Sequence, residues 1–280
     1  MELTDAQLAY FVDNRLKLPK GKRSEYLAQV DRLIANFSAA AKDDDLIGVK
    51  KFLKTGSLRK GTVLRPAGNF GVDADVAVFL NSAGATKYDL SRLHERIRRL
   101  LAKAYPNKNS EDFTVQPRTL GIVFRDSGLE MDLVPLIPIE GDGDFGWQPS
   151  SQGDPPVKTS VTKQLDFIRS RKEAYPRFTA LVRLLKYWRN FHDLDDCLRS
   201  FTIELLVCHL QDTQGALSLS KTDCCDSSSM STRPNCAIAL PSRSAEHRVP
   251  GRRTASSFLT RATPKTTWGA SSPTPIATRL

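Results

Sequence analysis

Residues 72–80 read VDADVAVFL. A short run of Val, Ala and Phe around two aspartates is the pattern of a buried strand. Side chains alternate along a strand, so Asp73 and Asp75 point the same way, about 6.5 Å apart. Two like charges on one face of an apolar strand repel, and a divalent cation between them relieves the repulsion. Two incidental acids at a solvent-facing edge are the plainer account of a lone Asp-x-Asp. A second apolar run, LEMDLVPLIP at residues 129–138, carries Asp132. Its apolar neighbours predict burial, and a buried Asp needs a partner. Three carboxylates on adjacent strands form a site for two Mg²⁺ about 3.5–4 Å apart. Glu130 shares the face of Asp132 and is the fallback ligand, although a solvent-facing strand end explains it more simply.

Upstream, residues 56–66 read GSLRKGTVLRP. Gly56 permits a tight turn and Ser57 can start a short helix, whose backbone N–H groups and hydroxyl would face a phosphate. Arg59, Lys60 and Arg65 add positive charge. A lone Gly-Ser is an ordinary turn. In sequence with the two acid-bearing strands it becomes a specific constellation.

Outward from this centre the chain reads as helices, a mixed α/β core, and a helical lobe. Thr4-Asp5-Ala6-Gln7 is a capping-box start, with Leu8, Phe11 and Val12 on one face. A second helix is expected from Ser24, with Leu27, Val30, Leu33, Ile34 and Phe37 inward. Residues 51–55 read as a strand. Asp89 or Ser91 caps a helix whose Leu93, Ile97, Leu100, Leu101 and Ala104 face inward, ended by Pro106. Residues 113–116, 120–124 and 129–135 are expected strands, and residues 141–156 a loop. Helices follow at about 160–172, 177–191 and 200–211.

The chain has 280 residues, 40% apolar and 26% charged, with a mean hydropathy of −0.34. That excludes a wholly disordered chain, and no run of about 18 apolar residues exists to span a bilayer. The first thirteen residues carry three acids and lack the basic, then apolar start of a secretory signal, so a cytoplasmic location is expected. The 41 Lys+Arg against 31 Asp+Glu give a net charge of +10 and suggest polyanionic partners. None of the 5 cysteines precedes Cys197, so no disulfide framework is expected.

Composition changes at Gly215. Residues 215–280 hold 12 Ser, 9 Thr and 6 Pro, 9 Lys+Arg against 3 Asp+Glu, and no aromatic besides Phe258 and Trp268. Such a segment cannot bury enough apolar area to offset its ordering entropy. A natural basic tail and out-of-frame translation compete, and the abrupt break after SFTIELLVCHLQD favours the second. On that reading Leu205, Leu206 or Leu210 should be partly uncovered. The expected division is 1–158, 159–214 and 215–280.

The order GS…DxD…D, quoted above, resembles that of the polymerase-β-like nucleotidyltransferases. The KGT after the Gly-Ser and the text DADVAVFL narrow it to the branch of cyclic GMP-AMP synthase, oligoadenylate synthetase and the bacterial cyclic-oligonucleotide synthases (CD-NTases). FTALVRLLKYWRNF and SFTIELLVCHL are similar to that branch's helices. The resemblance covers about residues 45–211. It implies an α+β fold, a mixed sheet flanked by helices, with a C-terminal helical lobe that stops short of the family's further helices. It implies that Gly56 and Ser57 hold donor phosphates and that Asp73 and Asp75 bind both metals. Asp132 would bind the catalytic metal and help activate a 3′-hydroxyl. Lys186 matches a lysine that reaches the triphosphate, against the alternative of a solvated helix residue. Ser200 and Phe201 match a phosphate-contacting serine and a base-stacking aromatic, against an N-cap and a core residue.

The implied cofactor is Mg²⁺, two ions, with Mn²⁺ as the alternative. NTPs, ATP first, are the implied substrates, and cyclic di- or trinucleotide messengers for antiphage (CBASS-type) signalling the implied product. A regulatory protein partner is a further expectation. Membrane association is not expected, and nothing in the sequence requires nucleic acid. Cys224, Cys225 and Cys236 resemble the zinc insertion of the animal enzyme but lack the upstream His, so zinc is not expected. The competing readings are an enzyme modifying RNA ends or a small acceptor, and an inactive remnant or nucleotide-binding protein. EGDGDFG lacks the closing Glu of a calcium loop. His94, His192 and His209 lack catalytic partners, and HERIRRLLAK reads as a solvated face.

Overall fold

β2 (Val72–Asn81) and β5 (Leu129–Ile139) lie side by side and parallel, and everything else is arranged around that pair. The computed structural model describes residues 3–42, 44, 47–67, 71–81 and 87–219. β1 (Gly48–Thr55) runs antiparallel to β2, while β4 (Leu120–Phe124) and β3 (Phe113–Val115) continue the sheet beyond β5 in the order β1-β2-β5-β4-β3. A parallel pair needs a crossover. Here the helix α4 (Lys87–Ala104) supplies its first part.

The sheet has two unlike faces. Val72, Ala74, Val76 and Val78 of β2 and Leu129, Met131 and Leu133 of β5 are buried against α2 (Lys20–Ala41) and α4. From α2 come Val30, Leu33 and Phe37, and from α4 Ile97, Leu100 and Leu101. The opposite face carries Asp73 and Asp75, then Ala77 and Phe79, which pack with Leu136 and Val161. Period-two alternation therefore sends the aliphatic set into one core and leaves the acids at one end of the other face.

Three helices close the described chain: α5 (Val161–Ala174), α6 (Phe178–Phe191) and α7 (Ser200–Gln214). Ile168, Phe178, Val182, Ile203, Val207 and Cys208 form their own cluster. Leu205 and Leu206 remain 42% and 41% exposed, so that expectation for α7 holds. No helix among the described residues is long and apolar enough to cross a membrane. The expectations for residues 220–280, the three cysteines included, lie outside the described residues.

Several boundaries differ from the sequence reading. The capping box forms as expected, Gln7 N–H donating to Thr4 Oγ1 at 3.3 Å and Thr4 N–H to Gln7 Oε1 at 2.9 Å, ahead of α1 (Asp5–Phe11). α2, however, begins at Lys20 rather than Ser24. Pro19 precedes its first turn with φ −57°, and its carbonyl accepts the Arg23 N–H at 2.9 Å. α4 begins at Lys87, ahead of both expected caps. β5 continues past Pro135 to Ile139. A proline cannot donate to a ladder, but β4 pairs no further along β5 than Leu133, so no ladder partner is lost on that side. The expected loop 141–156 holds a strand, β6 (Asp142–Gln148), paired with β5 and with β7 (Val157–Thr159). Gly141 at φ +76° turns the hairpin, and Gly146 lies where a Cβ would meet the Ile137 carbonyl at 3.2 Å.

Phe37 is fully buried and meets Phe52 edge-on at 6.1 Å. Phe37→Ala should cost about 3–5 kcal/mol of unfolding free energy in denaturant titration. Tyr10→Ala, at a site 69% exposed, should stay within about 0.5 kcal/mol.

Candidate active site

In the β2–β5 ladder Asp75 stands beside Asp132 and Asp73 beside Glu130. Partners in register share a face, so all four carboxyls project from one side of the sheet. Thr55 pairs with Asp75 from β1, and the chain turns there into α3 (Gly56–Lys60). Gly56 has φ +66°, and a β-carbon on it would lie 1.6 Å from Asp75 Oδ2. The Gly-Ser turn is thus laid directly on the Asp75 carboxylate, and Ser57 follows at once. On the far side Gly121 pairs with Asp132, and a β-carbon there would lie 2.2 Å from Thr114 Oγ1 and 3.0 Å from Asp132 Oδ1. Backbone without side chains walls the acids on both flanks.

The acids are strained electrostatically. Burial first, then Asp75, Asp73 and Glu130, push the Asp132 carboxyl up to about 7. Burial and Asp73 push Asp75 up to about 6, against the opposing pull of Lys60 and Lys186. Burial also raises Asp73 and Glu130 above the usual carboxylate range. Among the described residues no hydrogen bond or ion pair reaches Asp73, Asp75 or Asp132, although the set is partly sequestered from water. Nor do three His, Cys, Asp or Glu side chains already close on a common point among them. Hard oxygen donors, high charge density and no protein counter-donor suit Mg²⁺ or Mn²⁺, so Asp73, Asp75 and Asp132 fit the divalent metals that the sequence implies.

Cations face the acids from α3 and α6. Lys186 is 3% exposed, and burial lowers its ammonium to about 8 despite the nearby Glu204. Its Nζ donates to the Thr62 carbonyl at 3.4 Å. It is not the solvated residue of the competing reading. Glu204, 1% exposed, accepts from Lys60 Nζ at 2.5 Å and from Thr62 Oγ1 at 2.8 Å. Burial lowers Arg189, with Asp195 and Asp73 pulling the other way. Its guanidinium donates to Ser200 Oγ at 3.1 Å. Ser200 is the first residue of α7 and not its N-cap, which is Arg199. Phe201 is 39% exposed rather than a core residue, and Lys60 Nζ lies 5.2 Å from its ring.

Asp73, Asp75, Asp132, Gly56 and Ser57 are therefore brought together on the sheet. Lys186 stands opposite, and Ser200 and Phe201 connect to the acids through Arg189 and Lys60. Glu204, Thr62 and Arg189 were missed from sequence. For Glu204 a signal existed, an acid between Ile203 and Leu205 on an apolar helix, which requires a buried partner. Its partners lie 144 and 142 residues away, beyond any local pattern.

No family model matches the chain. It is 38% identical over 215 residues to the CBASS oligonucleotide cyclase CdnC of Escherichia coli (strain KTE188), covering 77% of this chain and 68% of that protein. It is 34% identical over 210 residues to the cyclic AMP-AMP-AMP synthase of Escherichia coli (strain MS 115-1), covering 73% and 64%. The structure of E. coli MS115-1 CdnC with a HORMA protein superposes at a TM-score of 0.62 and 31% identity, covering 78% of this chain and 67% of that one. The structure of CdnC with ATP gives a TM-score of 0.61 and 32% identity, over 75% and 66%. The chain thus spans about two thirds of the length of these relatives.

Two outcomes test this geometry. Gly56→Ala should lower stability by about 1–3 kcal/mol through its left-handed backbone and its contact with Asp75. Asp75→Ala in the same chain should recover part of the loss, and full additivity in denaturant titrations would reject the contact. The acids also set a pH slope. Their folded pKa values exceed those of the unfolded chain, so the folded state binds more protons. Thermal stability in chelator should fall as pH rises from about 4 to about 7, the upper limit coming from Asp132. Asp132→Asn should flatten that slope, and a rise across the window would reject the assignment.

Proposed function

This chain belongs to the CD-NTase family of CBASS oligonucleotide cyclases, and on that premise we propose that it joins NTPs, ATP first, into a cyclic di- or trinucleotide messenger for antiphage signalling. The observation that carries the reading is Asp75 in register with Asp132, with Gly56 packed on the Asp75 carboxylate. Relatives named as an oligonucleotide cyclase and a cyclic AMP-AMP-AMP synthase support the product class. A relative solved with ATP supports the substrate.

In this reading Asp73 and Asp75 would hold two divalent cations, Mg²⁺ or Mn²⁺, with Asp132 as a further ligand of the catalytic one. The chemistry such ions would supply is charge neutralisation at the phosphate and a lower pKa for the 3′-hydroxyl. Asp132 would help activate that hydroxyl. Gly56 and Ser57 receive the donor's phosphates beside Asp75. Lys186 supplies positive charge to the triphosphate, and Ser200, held by Arg189, contacts phosphate. Phe201 offers its exposed ring to a base. The attacking oxygen forms the new P–O bond as pyrophosphate leaves. Most of the protein's contribution is positioning and charge.

Residues 1–158 act as the nucleotidyltransferase core and 159–214 as the helical lobe in this scheme. The core's Lys60 and Thr62 meet the lobe's Glu204 and Lys186 across the cleft. A regulatory protein partner belongs to the same proposal, supported by a relative's complex with a HORMA protein.

Asp73→Asn with Asp75→Asn should abolish conversion of radiolabelled ATP to phosphatase-resistant product. Far-UV circular dichroism should be unchanged, because losing like charges relieves repulsion. Chelation should silence the native chain and added Mg²⁺ or Mn²⁺ restore it. Product from the double variant would defeat the two-metal assignment.

A further inference from the structure

The segment leaving α3 has an unusual set of partners. Four successive carbonyls each accept from a cation. Lys172 Nζ donates to Lys60 O at 2.9 Å, Arg183 to Gly61 O, Lys186 Nζ to Thr62 O at 3.4 Å and Arg183 Nε to Val63 O at 3.3 Å. Two residues earlier, Arg23 donates to Leu58 O at 3.0 Å. The donors come from α2, α5 and α6. Loop carbonyls ordinarily face water. Here three helices commit charged side chains to them.

The arrangement has an electrostatic cost. Arg183 is only 9% exposed. Among the described residues no carboxylate lies within ion-pair distance of it, and burial lowers its proton affinity. Lys172 is lowered too, by burial and then by Arg183, Arg23 and Arg59. Like charges crowded on one turn oppose folding, so their gathering there calls for a role. α3 has five residues, too short to hold itself, and its Gly56 is pressed against Asp75.

We propose that Arg183 is a positioning residue. Its guanidinium reaches two carbonyls from one rigid fork. It thereby fixes the Gly56–Ser57 turn at its height above Asp75, with Lys172 and Arg23 as auxiliaries. The inference rests on the reading of Gly56 and Ser57 as the cradle for donor phosphates.

Amide hydrogen exchange of the full chain without nucleotide, combined with ATP turnover, tests it. In Arg183→Met, amides 57–64 should exchange about 10-fold faster while those of α2 and β2 keep their native rates. kcat should fall about 10-fold or more with KM changed less, because positioning is lost rather than a substrate contact. Arg183→Lys retains the charge but only one point of contact, so it should lie between the two in both readouts. If Arg183→Met does not fold, Arg183→Lys carries the test alone. Unchanged exchange at 57–64 with reduced kcat would overturn the inference, since Arg183 would then act on the nucleotide directly. Faster exchange throughout the core would also overturn it, leaving a merely structural role. Ser57→Ala removes the cradle hydroxyl without touching the clamp. If it keeps native turnover, the cradle reading fails. If it loses turnover while Arg183→Met does not, the cradle stands and the positioning role fails.

Discussion

The parallel register of β2 on β5 is the constraint from which the site follows. It sets Asp75 beside Asp132 and Asp73 beside Glu130. Those neighbours repel, and on their own face the only apolar packing among the described residues is the small cluster of Ala77, Phe79, Leu136 and Val161. What enforces it is the opposite face, where Val72, Ala74, Val76, Leu129, Met131 and Leu133 are buried under α2 and α4. A slip of one residue would expose that aliphatic set and bury the acids. The hydrophobic core thus holds together carboxylates that would separate if free, and their burial, joined at Asp75 and Asp132 by mutual repulsion, appears as raised proton affinity.

The second organising feature is the contact between the α3 turn and the helices behind and above it. Lys60 and Glu204 form an ion pair with side chains 8% and 1% exposed. Buried pairs of this kind contribute little net stability, because desolvation offsets attraction. They do set geometry, since removing either partner strands a charge. With Thr62 attached to the same carboxylate, Glu204 ties α7 to the residues that follow Gly56 and Ser57. Phe201, three residues before Glu204, is held beside Lys60 by that anchoring.

The strands bearing the acids were legible because period-two alternation is local, and VDADVAVFL shows it within nine letters. Gly56 and Ser57 became legible only through their order relative to those strands. The register itself, and the fact that Gly56 lies on Asp75, could be expected but not measured from sequence. β6 was missed because its text, DGDFGWQ, is rich in turn-forming residues, and its strand character comes from pairing with β5. Glu204, Thr62 and Arg189 were missed because their roles depend on contacts between distant segments. The early start of α2 was hidden by Gly21 and the basic residues around it, which carry no apolar stripe.

The close approach of Gly56 to Asp75 also bears on how such a sequence can drift. Every single-nucleotide change that replaces a glycine codon with another amino acid adds a β-carbon. At residue 56 that atom would arrive 1.6 Å from Asp75 Oδ2 in a backbone with φ +66°. The position has no accessible neutral neighbour, and the obvious compensation removes an acid from the cleft. A chain carrying this turn can leave it without a clash only if a second codon changes with the first, so the constraint lies in steric fit and not in the strength of any one contact.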